Sequence, residues 1–154
     1  MLREEANGRR GKMKHIALAV TACLCMQFSS VSAHAGTVVA VVDLRSQTMT
    51  VSEDGALKYR WRVSTARKGY VTPIGSYTAK WLSRDHRSKK YDDAPMPYAV
   101  FFNGGYAIHG TYEVRHLGRP ASHGCVRLDT RNAATFFAMA ADAGLHNTRI
   151  VISE

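Results

Sequence analysis

Cysteine is scarce in this chain. There are three, at positions 23, 25 and 125, too few for a small fold stapled together by disulfides. Acidic residues are also sparse, 12 against 21 lysines and arginines. No H-E-x-x-H pattern occurs, so the commonest helical zinc-hydrolase signature is missing. No internal repeat or low-complexity segment is evident, which excludes solenoids and arrays. The basic residues are not interleaved with aromatics in a nucleic-acid-binding signature, and no nucleic-acid partner is expected. The longest apolar run, Ile16 to Met26, is too short to span a bilayer.

That run has another reading. Met13-Lys14-His15 is a short basic start before it, and Ala33-His34-Ala35 fits the small-x-small rule for cleavage before Gly36. Residues 1–35 are therefore expected to be a signal peptide, with Met13 as the true start and residues 36–154 as one catalytic domain. The protein is expected in the periplasm or cell wall, with no transmembrane segment after cleavage. The lipid-attachment-like stretch Val20-Thr21-Ala22-Cys23 is a second reading, ranked lower because an apolar stretch would remain after Cys23. Cleavage after Ala35 removes Cys23 and Cys25 and lowers the net charge from +9 to +6. The exported chain then carries one thiol in an oxidising compartment, with no partner for an internal disulfide. Its basic balance suits a carboxylate-rich partner such as a wall polymer.

Apolar periodicity divides residues 36–154. Thr37 to Asp43, Thr48 to Val51 and Lys58 to Val63 read as three strands of a meander, the last pair joined by the Asp54-Gly55 hairpin signal. A strand is expected over Tyr77 to Leu82. Ser83 to Pro97, polar and mixed in charge, reads as a long connection or flap. Tyr98 to Phe102 and Tyr106 to His109 form the next hairpin, around Asn103-Gly104-Gly105. Asp129 is placed as the N-cap of a helix over about Thr130 to Ala143, with Ala133, Phe136, Phe137 and Ala140 on one face and Gly144 at its end. Thr148 to Ile152 is a final strand. The fold class is mostly β, sandwich- or barrel-like, with one helix in the C-terminal half packed on the sheet.

The chemistry concentrates in Ser122-His123-Gly124-Cys125-Val126-Arg127-Leu128, read with His109-Gly110-Thr111. A thiol with a free pKa of about 8.5 is a weak nucleophile near neutral pH. An adjacent imidazole can take its proton or stabilise the thiolate. Gly124 lets the backbone turn tightly beside Cys125. His109, His123 and Cys125 could instead hold zinc with one position open, although no acid stands at helix-like spacing to serve as base. A non-enzymatic wall-binding module is a further rival.

Four stretches together resemble the YkuD-type L,D-transpeptidase catalytic domain: Thr72-Pro73-Ile74-Gly75, Met96-Pro97-Tyr98, His109-Gly110-Thr111 and Ser122 to Leu128. The resemblance covers nearly all of the chain after residue 36. It implies a β-rich fold, no cofactor, and peptidoglycan stem peptides as partners. It implies that Cys125 attacks the carbonyl of the third stem residue, a diamino acid, and that terminal D-alanine leaves. The thioester then passes to an amine of a second stem, giving a 3→3 cross-link, or to water, giving carboxypeptidase action. Some relatives attach a lipoprotein to the wall. His109 matches the family's base, and a backbone carbonyl near Gly110 is expected to orient it. The N–H groups of Gly124 and Cys125 are the expected oxyanion hole. His123 would help hold the thiolate, line that hole or be structural. Arg127 would grip a substrate carboxylate or pair with Asp129 or another acid. Ser122 is a structural hydrogen-bonder more than a second nucleophile. Ser122, Arg127, Tyr98 and Gly110 make up the candidate substrate-contact set, and Tyr106 shares with Tyr98 the choice between substrate contact and core.

Overall fold

The computed structural model describes residues 36–154. The expected signal peptide, its cleavage site and the Cys23 stretch lie outside the described residues. Those residues contain nine strands in two sheets and one α-helix. Among them, no helix is long and apolar enough to cross a membrane.

The first sheet has the order β3-β2-β1-β9-β4, from β1 (Val38–Asp43), β2 (Thr48–Glu53), β3 (Ala56–Arg62), β4 (Gly75–Thr78) and β9 (Thr148–Ser153). Val38, Ala40 and Val42 are fully buried and alternate with half-buried neighbours, because successive strand residues face opposite sides. The meander is present as expected. Asp54 and Gly55 take φ of 50° and 80°, the left-handed pair that a two-residue hairpin needs. β1 and β9 run parallel, Val38 opposite Thr148, so the last strand lies inside the sheet between β1 and β4.

The second sheet has the order β5-β6-β7-β8, from β5 (Trp81–Arg87), β6 (Pro95–Asn103), β7 (Tyr106–Thr111) and β8 (Val126–Asp129). Two expectations change here. The strand expected over Tyr77 to Leu82 is two strands in different sheets. The chain crosses between them at adjacent residues: the Ala79 N–H donates to Thr148 of the first sheet and the Lys80 N–H to Phe101 of the second. The stretch Ser83 to Pro97 is not a long loop. Most of it is the β5–β6 hairpin, Ser83 opposite Ala99 and Asp85 opposite Pro97, and only residues 88–94 connect the strands. A charged edge strand needs few apolar residues of its own, which is why it lacks the strand periodicity.

Helix α1 (Thr130–Ala143) packs on the second sheet. Asp129 caps it as expected, its side chain accepting the Arg131 N–H at 2.9 Å. Ala133, Phe136 and Ala140 are buried against Val100, Phe102, Ile108, Val126 and Leu128. Gly110 sits where the helix begins. A Cβ there would lie 3.0 Å from Thr130 Cα and 3.1 Å from Pro97, so glycine lets the helix start against the strand. The helix covers one face of the sheet. The other face carries Phe101, His109, Cys125 and Arg127 and opens on a cleft.

Candidate active site

Strand pairing builds the site. β7 and β8 run parallel, with Ile108 opposite Val126 and His109 opposite Arg127. Ile108, Val126 and Leu128 point to the helix side and are fully buried. Alternation therefore turns His109, Cys125 and Arg127 to the other side, and all three line a cleft of about 940 Å3. The loop between the strands, with a 3-10 turn at Val114–His116, returns the chain to the same sheet edge.

His109 is 5% exposed. Its Nδ1 lies 2.7 Å from the Gly110 carbonyl oxygen. A carbonyl only accepts, so Nδ1 carries the proton and the neutral ring keeps its lone pair on Nε2. This is the orienting acceptor expected from the sequence. Burial pushes the His109 pKa down to about 4, against the Gly110 bond, which favours the protonated ring; the Arg127 charge and His86 lower it further. The imidazole is neutral at pH 7.

Cys125 is half-buried against Met96, Ala99, Phe101 and Ala107. Burial raises its pKa, opposed by the Ala107 backbone and by Arg127. Its Sγ lies 3.7 Å from the Gly105 carbonyl, its hydrogen-bond partner in this structure. Thiol and imidazole thus face one cleft without being bonded to each other, an arrangement that is often tightened only by substrate.

The turn before Cys125 is held from two directions. Ser122, 1% exposed, donates from Oγ to the Cys125 carbonyl at 2.6 Å and accepts the Gly124 N–H at 3.0 Å. Ser122 is structural, and the Gly124 N–H is engaged rather than open to an oxyanion. Thr72 donates from Oγ1 to the Gly124 carbonyl at 2.8 Å and accepts the Ala66 N–H at 3.0 Å. This gives the Thr72-Pro73-Ile74-Gly75 stretch its purpose: it clamps the peptide preceding Cys125. Gly124 takes φ 130°, and a Cβ there would lie 2.6 Å from the Tyr106 ring and 2.8 Å from the Val71 carbonyl. No other residue fits.

His123 lies in an aromatic clamp. Tyr91 stacks on it at 4.3 Å and 10°, and Tyr70 meets it edge-on at 4.7 Å. Its pKa is lowered by loss of solvent, then by Arg67 and Arg127, with Asp92 acting in the opposite direction. His123 therefore joins the tip of the β5–β6 hairpin to the turn before Cys125. Tyr106 lines the cleft and Tyr98 does not. Tyr98 takes φ 55°, and its ring packs 5.9 Å from Phe137 of the helix. Gly110 faces the helix and contributes its carbonyl. Arg127 pairs not with Asp129 but with Glu113, Nη1 to Oε2 at 3.4 Å; Asp129 is taken by Arg131. Sequence reasoning missed Glu113, Tyr70 and Tyr91, whose positions depend on how loops fold over the cleft. Among the described residues, no group of three or more His, Cys, Asp or Glu lies together closely enough to hold a metal ion.

A two-sheet fold with a helix on one sheet, and a thiol and a neutral imidazole sharing the open face of that sheet, is the arrangement of a cysteine acyl-transfer domain. A model of the YkuD L,D-transpeptidase catalytic domain matches residues 37–152, and the chain belongs to that family. Solved structures agree. An L,D-transpeptidase from Mycobacterium tuberculosis H37Rv superposes with a TM-score of 0.69 at 26% identity, covering 77% of this chain and 58% of that one. The L,D-transpeptidase LdtMt1 in complex with imipenem gives 0.67 at 26%, covering 76% and 59%. One from Stackebrandtia nassauensis gives 0.67 at 29%, covering 77% and 56%. The chain thus spans less than two thirds of each of these structures. No curated protein matches it.

Two outcomes follow from this geometry. His109 binds its proton near pH 6.5 when unfolded and near pH 4 when folded. The unfolded state holds the extra proton between those values, so stability is full above about 6.5 and falls as pH drops, by about 3 kcal/mol in all. Urea unfolding across pH 4 to 7 should show this slope and His109→Gln should flatten it; identical profiles would contradict the assignment. Thr72→Val leaves the Gly124 carbonyl and the Ala66 N–H without their partner. It should cost about 1–3 kcal/mol in the same assay, and an unchanged midpoint would show that the clamp carries no load.

Proposed function

We propose that this chain is a cysteine L,D-transpeptidase acting on peptidoglycan stem peptides. The observation that supports it most is that Cys125 and a neutral His109, locked through Nδ1, open on one cleft. In this mechanism Sγ attacks the carbonyl carbon of the third stem residue as His109 Nε2 takes the thiol proton. The carbon–sulfur bond forms, the bond to terminal D-alanine breaks, and His109 returns the proton to the leaving amine. An amine of a second stem then attacks the thioester, giving a 3→3 cross-link and restoring the thiol. Water in its place shortens the stem; an amine of a lipoprotein would anchor that protein to the wall. Because the acyl bond energy is kept as a thioester, no ATP is required.

Oxyanion stabilisation falls to the Cys125 N–H, joined by Gly124 if Ser122 Oγ releases it. A donor of this kind lowers the barrier by about 3 kcal/mol. We place the protein in the periplasm or cell wall on the basic-apolar-small pattern of residues 13–35.

Imipenem is the direct probe, since a related L,D-transpeptidase has been solved in complex with it. The protein should gain one imipenem mass increment, absent in Cys125→Ala. Incubation with sacculi and muropeptide digestion should yield 3→3 dimers. Shortened stems alone would assign carboxypeptidase action, and protein-bearing stems would assign anchoring. Sacculus binding without turnover or adduct would leave a non-catalytic wall-binding module. The same mass spectrum tests export: protein recovered from cells should begin at Gly36, and a retained Met1 or Met13 start would contradict it.

A further inference from the structure

Arg127 is a guanidinium in search of a ligand. Its side chain is only 18% exposed, and its ion-pair partner among the described residues is Glu113, at 3.4 Å through Nη1. No buried side-chain nitrogen or oxygen among the described residues lacks a partner. The remaining guanidinium donors therefore reach open space, and Arg127 lines the cleft beside His109 and Cys125. Glu113 lines the same cleft. Its Oε2 is shared between Arg127 and His116 Nδ1, the latter at 3.2 Å, and its carboxylate is half exposed.

A lone arginine grips any carboxylate. Placing a carboxylate beside it changes what is recognised. The pair has no net charge, so a simple anion meets repulsion from Glu113 and a simple cation meets repulsion from Arg127. A ligand with an ammonium and a carboxylate on one carbon satisfies both at once, antiparallel to the pair. We propose that Arg127 and Glu113 form a subsite for a free α-amino-acid centre, Arg127 taking its carboxylate and Glu113 its ammonium. His116 positions Glu113 through the shared oxygen.

This rests on the transpeptidase reading and narrows it. A diamino acid at the third stem position carries its scissile carbonyl on one centre. If the second centre is a free amino acid, as in diaminopimelate, it is the group that this pair would hold. Blocking either charge there should hurt recognition. Lysine, which lacks the second carboxylate, should serve poorly. The terminal carboxylate of D-alanine, whose nitrogen is an amide, would not be retained at this pair.

The test uses the full chain and three synthetic tetrapeptide donors: one with unmodified diaminopimelate, one with its side-chain carboxylate amidated, one with its side-chain amine acetylated. D-alanine release is the readout. The unmodified donor should exceed each blocked one about tenfold or more in kcat/KM, as a site built around a polar group rejects an analogue lacking it. Glu113→Gln should abolish the penalty for acetylation and keep the penalty for amidation, and Glu113→Asp should show both penalties, as the parent does. Acceptance of all three donors within twofold by the parent would overturn the subsite, as would a uniform loss across donors in Glu113→Gln. Imipenem acylation of the parent separates the two levels. If it occurs while the donors are treated alike, only this inference fails; if neither imipenem nor any donor reacts, the transpeptidase reading fails with it.

Discussion

The parallel pairing of β7 with β8 is the constraint on which the site depends. It sets His109 opposite Arg127 and carries Cys125 to the same side of the sheet. The register leaves no freedom: a slip of one residue would send the thiol into the helix-packed core and bring Val126 to the cleft. Helix α1 guards against that slip. Phe136, Ile108, Val126 and Leu128 are fully buried together, so moving the strand would expose apolar surface on one side and bury polar groups on the other. The packing that holds the domain together is thus also what aligns Cys125 with His109.

Burial then decides the state in which the site waits. Both groups are withdrawn from water, which favours their uncharged forms. The imidazole is kept neutral and the thiol kept protonated. This differs from an ion pair of thiolate and imidazolium. A neutral pair is unreactive until a carbonyl carbon is presented, and a protonated thiol is a poorer target for oxidation than a thiolate. Arg127 opposes the burial effect at the thiol and reinforces it at the imidazole. One guanidinium therefore biases proton transfer in both partners, besides facing the cleft.

Local signals in the sequence were legible where a side chain acts on its own neighbourhood. Asp129 as helix cap, Asp54-Gly55 as a hairpin and His109 against the Gly110 carbonyl all depend on residues one or two apart, and each is found. Contacts made across the fold were not legible. Thr72 holds the carbonyl of a residue 52 positions later. Glu113 meets Arg127 because a loop folds back, not because of spacing. Its aromatic strand leaves Tyr98 open between substrate contact and core; its positive φ and its packing on Phe137 decide for the core. The β5 strand was hidden because its residues are mostly charged or polar, and a paired edge takes its stability from the neighbouring strand.

The central claim is that His109 stands neutral, with its proton on Nδ1 and Nε2 free to act as base. Nitrogen-15 NMR of histidine-labelled protein reads this directly. Between pH 5.5 and 7.5 the His109 ring should show a protonated Nδ1 and an unprotonated Nε2, unchanged across the range. An imidazolium spectrum at neutral pH, or a proton resident on Nε2, would contradict the account.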